Sequence, residues 1–312
     1  MKKIIFICGP LFLYALFPLT FSFTKPGLSL FSPTFFVAIR MIVSGLLLFC
    51  IAYFQEKIIF KDVIRYKKLF LQASLLGIYF TYLPSYWALQ YISVAKSAFI
   101  YMLAPFFTAL IAYFKGLETF SFKKIIGFAL GIVGFIPVIM FSPSESVGSL
   151  YIFYGLPEVM MILSVASYAY SWIAVKELIY QKHIPPIFLN SVSMFFSGLL
   201  ALLTSYVIDN WDLFFLTHTQ ITYHFLYNVS MTSLIGMICY LLYTLLLKYF
   251  PATFLSFFGL IEPFFAAFYG WFFLSETIPH YFFISLTIVG CGLYLYYQEE
   301  LRISSLTITK KE

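Results

Sequence analysis

The chain has 312 residues, of which 62% are hydrophobic and only 10% charged, with a mean hydropathy of +0.93. That balance excludes a water-soluble domain, and at roughly 20 residues per bilayer-crossing helix the apolar residues suffice for nine or ten spans with short connections. The net charge of +6 does not point to a nucleic-acid partner, because the basic residues sit almost entirely between the apolar runs.

Apolar runs bounded by charge or by clusters of Pro, Gly and Ser predict helices near 4–23, 32–54, 69–88, 96–114, 125–141, 150–174, 186–207, 223–247, 254–274 and 281–297. The fold class is therefore an all-α integral membrane protein with ten transmembrane helices. Met1-Lys2-Lys3 ahead of an apolar stretch resembles a signal peptide, but the run continues to Phe23 without a small-x-small cleavage site. It reads as a retained first span. With Lys2 and Lys3 inside, 16 of the 19 basic residues fall on inside segments, Lys25 and Lys96 lie near outer boundaries, and Arg40 is within a span. Both termini then face the cytoplasm, in an inner, multi-pass membrane location, and residues 303–312 form a cytoplasmic tail. Cys8, Cys50, Cys239 and Cys291 all fall in apolar runs with no CxxC and no nearby His, so they read as small packing residues and no metal site is expected.

The two halves repeat. Pro33 and Ser44-Gly45-Leu46-Leu47 recur as Pro186 and Ser197-Gly198-Leu199-Leu200, at the same internal spacing. Pro105-Phe106-Phe107 with Glu118-Thr119 recurs as Pro263-Phe264-Phe265 with Glu276-Thr277, at a constant offset of 158, and Ile132-Val133-Gly134 recurs as Ile288-Val289-Gly290. Five helices per repeat is an odd number, so the second copy enters the membrane upside down. Two inverted halves can rock about a central site and expose it to each side in turn, which is the geometry of a transporter.

The chain resembles members of the drug/metabolite transporter superfamily, with two EamA-type domains of five helices each. The matching features are Lys25, Pro33 and Arg40 across spans 1 and 2, Ala88-Leu89-Gln90-Tyr91-Ile92-Ser93 at the end of span 3, Pro105 followed by Leu117-Glu118-Thr119, and Glu262-Pro263 followed by Ser275-Glu276-Thr277. The resemblance places the first domain at 1–145 and the second, inverted one at 146–302. One departure is Ser193 at the position equivalent to Arg40, with Lys176 two residues further from its Pro than Lys25 is.

Three ionisable side chains lie well inside the predicted spans: Arg40, Glu158 and Glu262. Each costs about 2.5–3.5 kcal/mol at a helix centre, so each should face protein or a water-filled cavity. Glu262 falls near the middle of span 9, and Glu158 and Arg40 fall about 6 and 5 Å to the outer side of their span centres. Arg40 suits a substrate carboxylate, and Glu158 or Glu262 a substrate cation. An internal pair between Arg40 and one glutamate is the alternative, and it would still leave one carboxylate over. With 40 Phe and 25 Tyr, most aromatic residues must face lipid or fill the interior. Tyr79, Tyr82, Tyr168, Trp172, Tyr240 and Tyr243, at helical spacing on spans 3, 6 and 8, are those best suited to stack on a planar base or an onium group. Pro157 and Pro263 adjoin the two glutamates, which predicts kinks there.

A cavity with two carboxylates, one Arg and many aromatics suits a small zwitterionic or cationic metabolite with a planar ring. S-adenosylmethionine has each element: sulfonium and ammonium for the acids, a carboxylate for Arg40 and adenine for the rings. Gly155-Leu156-Pro157-Glu158 and the Phe-, Ile- and Lys-rich composition look similar to S-adenosylmethionine transporters of intracellular bacteria, which implies secondary-active uptake in exchange for S-adenosylhomocysteine. Export of an amino acid or drug by the same superfamily is the runner-up. No catalytic residues are expected. Asp62, Asp209 and Asp212 all fall in loops, which excludes an intramembrane aspartyl dyad, and no Gly-x-Ser-Gly motif accompanies a membrane His. The expected partners are the substrate and the lipid bilayer, in a monomer or homodimer, with no cofactor.

Overall fold

The computed structural model describes residues 2–29, 31–55, 60–114, 121–141, 155–209, 219–246, 255 and 259–309, and all regular structure among them is helical. In chain order the helices are α1 (Lys2–Leu28), α2 (Pro33–Phe54), α3 (Phe60–Arg65), α4 (Lys67–Ser74), α5 (Phe80–Leu89), α6 (Val94–Tyr101), α7 (Ala104–Phe114) and α8 (Phe122–Phe141). After these come α9 (Leu156–Tyr180), α10 (Pro186–Ile208), α11 (Thr219–Leu246), α12 (Glu262–Leu274) and α13 (His280–Thr309). A π turn over Leu75–Tyr79 joins α4 to α5, and a 3₁₀ turn over Gly259–Ile261 leads into α12. Five segments among the described residues are long and apolar enough to cross a membrane: Pro33–Phe54, Val94–Ile111, Leu156–Tyr180, Pro186–Ile208 and Tyr223–Leu246. Expectations for Glu118, Asp212, His218, Lys248 and the boundary at 145 lie outside the described residues.

The predicted boundaries hold best where Pro starts a helix. Ser32 caps α2 by accepting from Phe35 N–H, with Pro33 at its first turn, and Pro186 opens α10. Elsewhere the structure corrects them. α1 runs past 23 to Leu28, with Lys25 in its last turn, where the helix dipole favours a cation, and paired with Glu276 at 2.7 Å. α9 starts at Leu156 rather than 150: Gly155 adopts φ +100° at the N-cap, and Pro157 sits in the first turn. Pro157 and Pro263 therefore begin helices instead of kinking them, since a first-turn residue has no helical acceptor for an N–H in any case. α13 continues through the expected tail to Thr309. Cys239 is buried, but Cys50 and Cys291 are exposed on helix faces and do not pack inside.

Equivalent helices of the two halves cross antiparallel. A Cβ at Gly45 would stand 2.6 Å from the backbone N of Phe195, and one at Gly198 would stand 2.7 Å from that of Ile42. Ile42 is to Phe195 as Gly45 is to Gly198 in the repeat, so exchanging the halves maps the α2–α10 crossing onto itself. α8 and α13 cross likewise, with Gly134 against Val289 and Gly292 against Gly131. The remaining packing obeys the same exchange: α1 lies on α11 and α12, while α9 lies on α4–α5 and α6–α7. Small residues let these backbones approach, which is how helices associate where lipid removes the hydrophobic drive. Asp209, at the end of α10, ties to the start of α2 by accepting from Ser32 Oγ at 2.5 Å and from Thr34 Oγ1.

Candidate functional site

Three helix breaks shape the interior. Pro84 has no N–H to give and would crowd the carbonyl of Phe80, and the π turn just before α5 shifts the backbone register there. Hydroxyls from three other helices serve the carbonyls around this break: Ser197 Oγ donates to Ser74 O at 2.8 Å, Ser167 Oγ to Leu76 O at 2.9 Å and Tyr240 OH to Gly77 O at 3.1 Å. Span 4 is expected to be one helix but is two, broken at Met102–Leu103 just before Pro105. The third break is the 3₁₀ turn before Glu262-Pro263. Pro105 and Pro263 are equivalent in the repeat, so each half supplies one interrupted helix at the same place. Such paired interruptions mark binding sites in transporters built from inverted repeats.

A cavity with about 770 Å³ of atom-free space, the open space at its mouth included, lies where these breaks meet. α1 contributes Tyr14, Phe17 and Phe21 to its wall, α5 contributes Thr81 and Tyr82, and the α6–α7 break contributes Tyr101 and Ala104. Tyr168 and Trp172 from α9, and Tyr240 and Tyr243 from α11, form the aromatic side. Trp172 lies 4.1 Å from the Tyr243 ring and 6.4 Å from that of Tyr240, and its Nε1–H is buried without a partner. Among the described residues of the wall, Glu262, 8% exposed, is the one ionisable side chain apart from the tyrosines. It sits in the first turn of α12, where the helix dipole favours a negative group, and not in mid-helix as its place in span 9 implies.

The structure thus brings together six of the nine residues predicted from sequence: Tyr82, Tyr168, Trp172, Tyr240, Tyr243 and Glu262. Arg40 stands directly behind Tyr82. Its guanidinium carbon is 4.7 Å from that ring and 5.3 Å from the ring of Tyr86, it is 1% exposed, and its Nε and Nη1 have no hydrogen-bond partner. Gly236 makes room for it, since a Cβ there would fall 2.4 Å from Nη2. Tyr79 faces away, sharing a hydrogen bond with Thr204 Oγ1 at 2.6 Å. Glu158 also lies off the cavity wall, in the first turn of α9, with its Oε1 2.5 Å from Lys96 Nζ. Arg40 pairs with neither glutamate. Lys96, which reads as a boundary residue from sequence, is 3% exposed on α6. Tyr14, Phe17 and Tyr101 were missed, because in a chain with 22% aromatic residues nothing local separates a wall aromatic from a lipid-facing one.

The profile of the EamA-like transporter family matches residues 1–140 and again 155–298. A protein of Chlamydia muridarum (strain MoPn / Nigg) named S-adenosylmethionine/S-adenosylhomocysteine transporter is 29% identical over 289 residues, covering 91% of this chain and 88% of its own. A protein of the same name from Chlamydia trachomatis serovar L2 is also 29% identical, with 91% and 86% covered. A solved crystal structure superposes with a TM-score of 0.62 at 11% identity, covering 95% of this chain and 96% of its own, which is a likeness of fold.

Proposed function

This chain belongs to the EamA-like transporter family, and we propose that it carries S-adenosylmethionine across the inner membrane by alternating access, in exchange for S-adenosylhomocysteine. In this reading ten spans form two inverted repeats, 1–145 and 146–302, with both termini cytoplasmic. The observation that carries the substrate class is the chemistry of the cavity: one carboxylate, Glu262, in a wall of tyrosines and a tryptophan, with the Arg40 guanidinium behind it, its Nε and Nη1 lacking partners. Glu262 holds the ammonium or sulfonium. The adenine lies against Trp172, Tyr240 and Tyr243, and aromatic faces also attract the onium charge. A turn of the Tyr82 ring opens Arg40 to the substrate carboxylate, which a guanidinium grips through two parallel N–H bonds. The names borne by the chlamydial relatives agree with this chemistry.

The test is competition for uptake of labelled S-adenosylmethionine by cells expressing the protein, against S-adenosylhomocysteine, amino acids and nucleosides. Suppression by unlabelled S-adenosylmethionine and S-adenosylhomocysteine alone is the expected result. Uptake no greater than in cells lacking the protein, or equal suppression by simple amino acids, overturns the substrate.

A further inference from the structure

α6 is eight residues long, and every side chain from Val94 to Ile100 is buried. Its last residue, Tyr101, is on the cavity wall together with Met102 and Ala104, whereas its first turn lies roughly 10 Å further along the helix axis. Two carboxylates from the second half hold that first turn. Glu276, on the link between α12 and α13, accepts the Val94 N–H on both oxygens, at 3.2 and 3.0 Å, and pairs with Lys25 of α1 at 2.7 Å. Glu158, from the first turn of α9, pairs with Lys96 at 2.5 Å, and its Oε2 is buried without a partner.

Four elements meet at this knot, and each also reaches the cavity: α1 through Tyr14 and Phe17, α6 through Tyr101, α9 through Tyr168 and α12 through Glu262. In all four, the knot lies beyond the cavity toward the same end of the molecule. The Asp209 tie to Ser32 and Thr34 lies at that end too and joins the same two halves. In the sequence, the position equivalent to Lys96 at offset 158 is Phe254, so the repeat carries no second copy of that lysine. Most wall residues of α9 and α11 lie toward that opposite end, Trp172 and Tyr243 among them.

We propose that α6 is the gate at the outer end of the cavity, and that Glu276 and Glu158 latch it shut through Lys25, Val94 and Lys96. The proposal rests on the transport reading and on the orientation given above. Charge-assisted bonds between buried partners in a medium of low dielectric hold strongly when made, and breaking one leaves a costly unpaired group, which favours the fully closed end. Substrate reaches the cavity from outside only when both carboxylates release α6. In this arrangement Glu158 is a gate residue, and cation binding falls to Glu262 alone.

The experiment uses two readouts. Ala104→Cys places a thiol on the cavity wall, and labelling by an impermeant maleimide from the outer side is compared with the parent protein, which keeps its own cysteines. Removing one latch shifts the closed–open balance, so Glu276→Gln and Glu158→Gln should each raise outer-side labelling roughly tenfold. The second readout covers failure of those variants to accumulate in the membrane: Lys25→Cys with Glu276→Cys, joined by a short reducible bis-thiosulfonate bridge. Bridging should abolish uptake and reductant should restore it. Uptake that continues with the bridge in place overturns the gate, as does unchanged labelling in both glutamine variants at wild-type protein level. Absence of uptake by the wild-type protein would instead strike the transport reading itself.

Discussion

Under the proposed reading, the Arg40 guanidinium, which lies over two tyrosine rings with Nε and Nη1 lacking hydrogen-bond partners, takes the substrate carboxylate, and lysine cannot replace it, having neither the planar face nor the fork of donors. Arg40→Lys should therefore lower uptake nearly as far as Arg40→Met, by roughly tenfold or more for the loss of a charged hydrogen bond to substrate. Initial rates of labelled uptake at matched membrane levels check this, and full activity of Arg40→Lys would leave only its charge in play. Gly236→Ala reaches the same group from the other side, since the added Cβ would fall 2.4 Å from Nη2, and a comparable loss is expected. Arg40 and Glu262 were legible in the sequence because a charge in an apolar run needs a reason. Lys96 was not, because it stands at the start of its run and its partner, Glu158, is 62 residues away. Glu158 was legible as a buried charge, but its role depended on that partner.

The helices show where sequence reading succeeds and where it stops. α2 and α10 begin at Pro33 and Pro186, one residue from expectation in the first case and at the expected residue in the second, because Pro and its neighbours fix a helix start. Pro84, Pro105 and Pro263 mark the interruptions of spans 3, 4 and 9 in the sequence, but their form, a π turn, a two-residue turn and a 3₁₀ turn, is not readable there, because the apolar run continues through them. The crossing of α2 and α10 carries its own prediction. Gly45→Leu or Gly198→Leu drives a side chain into the facing backbone, within 2.6 or 2.7 Å at the Cβ alone, and overpacking of this kind costs about 1–3 kcal/mol or more. Gly290→Ala, where the added Cβ meets nothing within 4 Å, should leave the thermal midpoint in detergent unchanged. Equal midpoints for all three variants would contradict the close crossing. At the π turn, Tyr240→Phe removes the hydroxyl that serves Gly77 O and should cost about 1 kcal/mol on the same measurement, the usual net worth of such a bond.

At the scale of the molecule, the repeat was visible in the sequence as matched offsets, and the packing that maps onto itself when the halves are exchanged is its structural counterpart. Which helices meet across the halves was not readable, because pattern along a chain gives faces and not partners. In the reading proposed above, the inverted pair moves a cationic, adenine-bearing metabolite by exchange through the Glu262 cavity. Purified protein in liposomes loaded with S-adenosylhomocysteine tests it most directly, with labelled S-adenosylmethionine supplied outside. Accumulation of label that requires the internal S-adenosylhomocysteine and is lost in Glu262→Gln, with that variant still purifying folded, is the expected result. Label entering no faster than in protein-free liposomes, or equally well with Glu262→Gln, would contradict it.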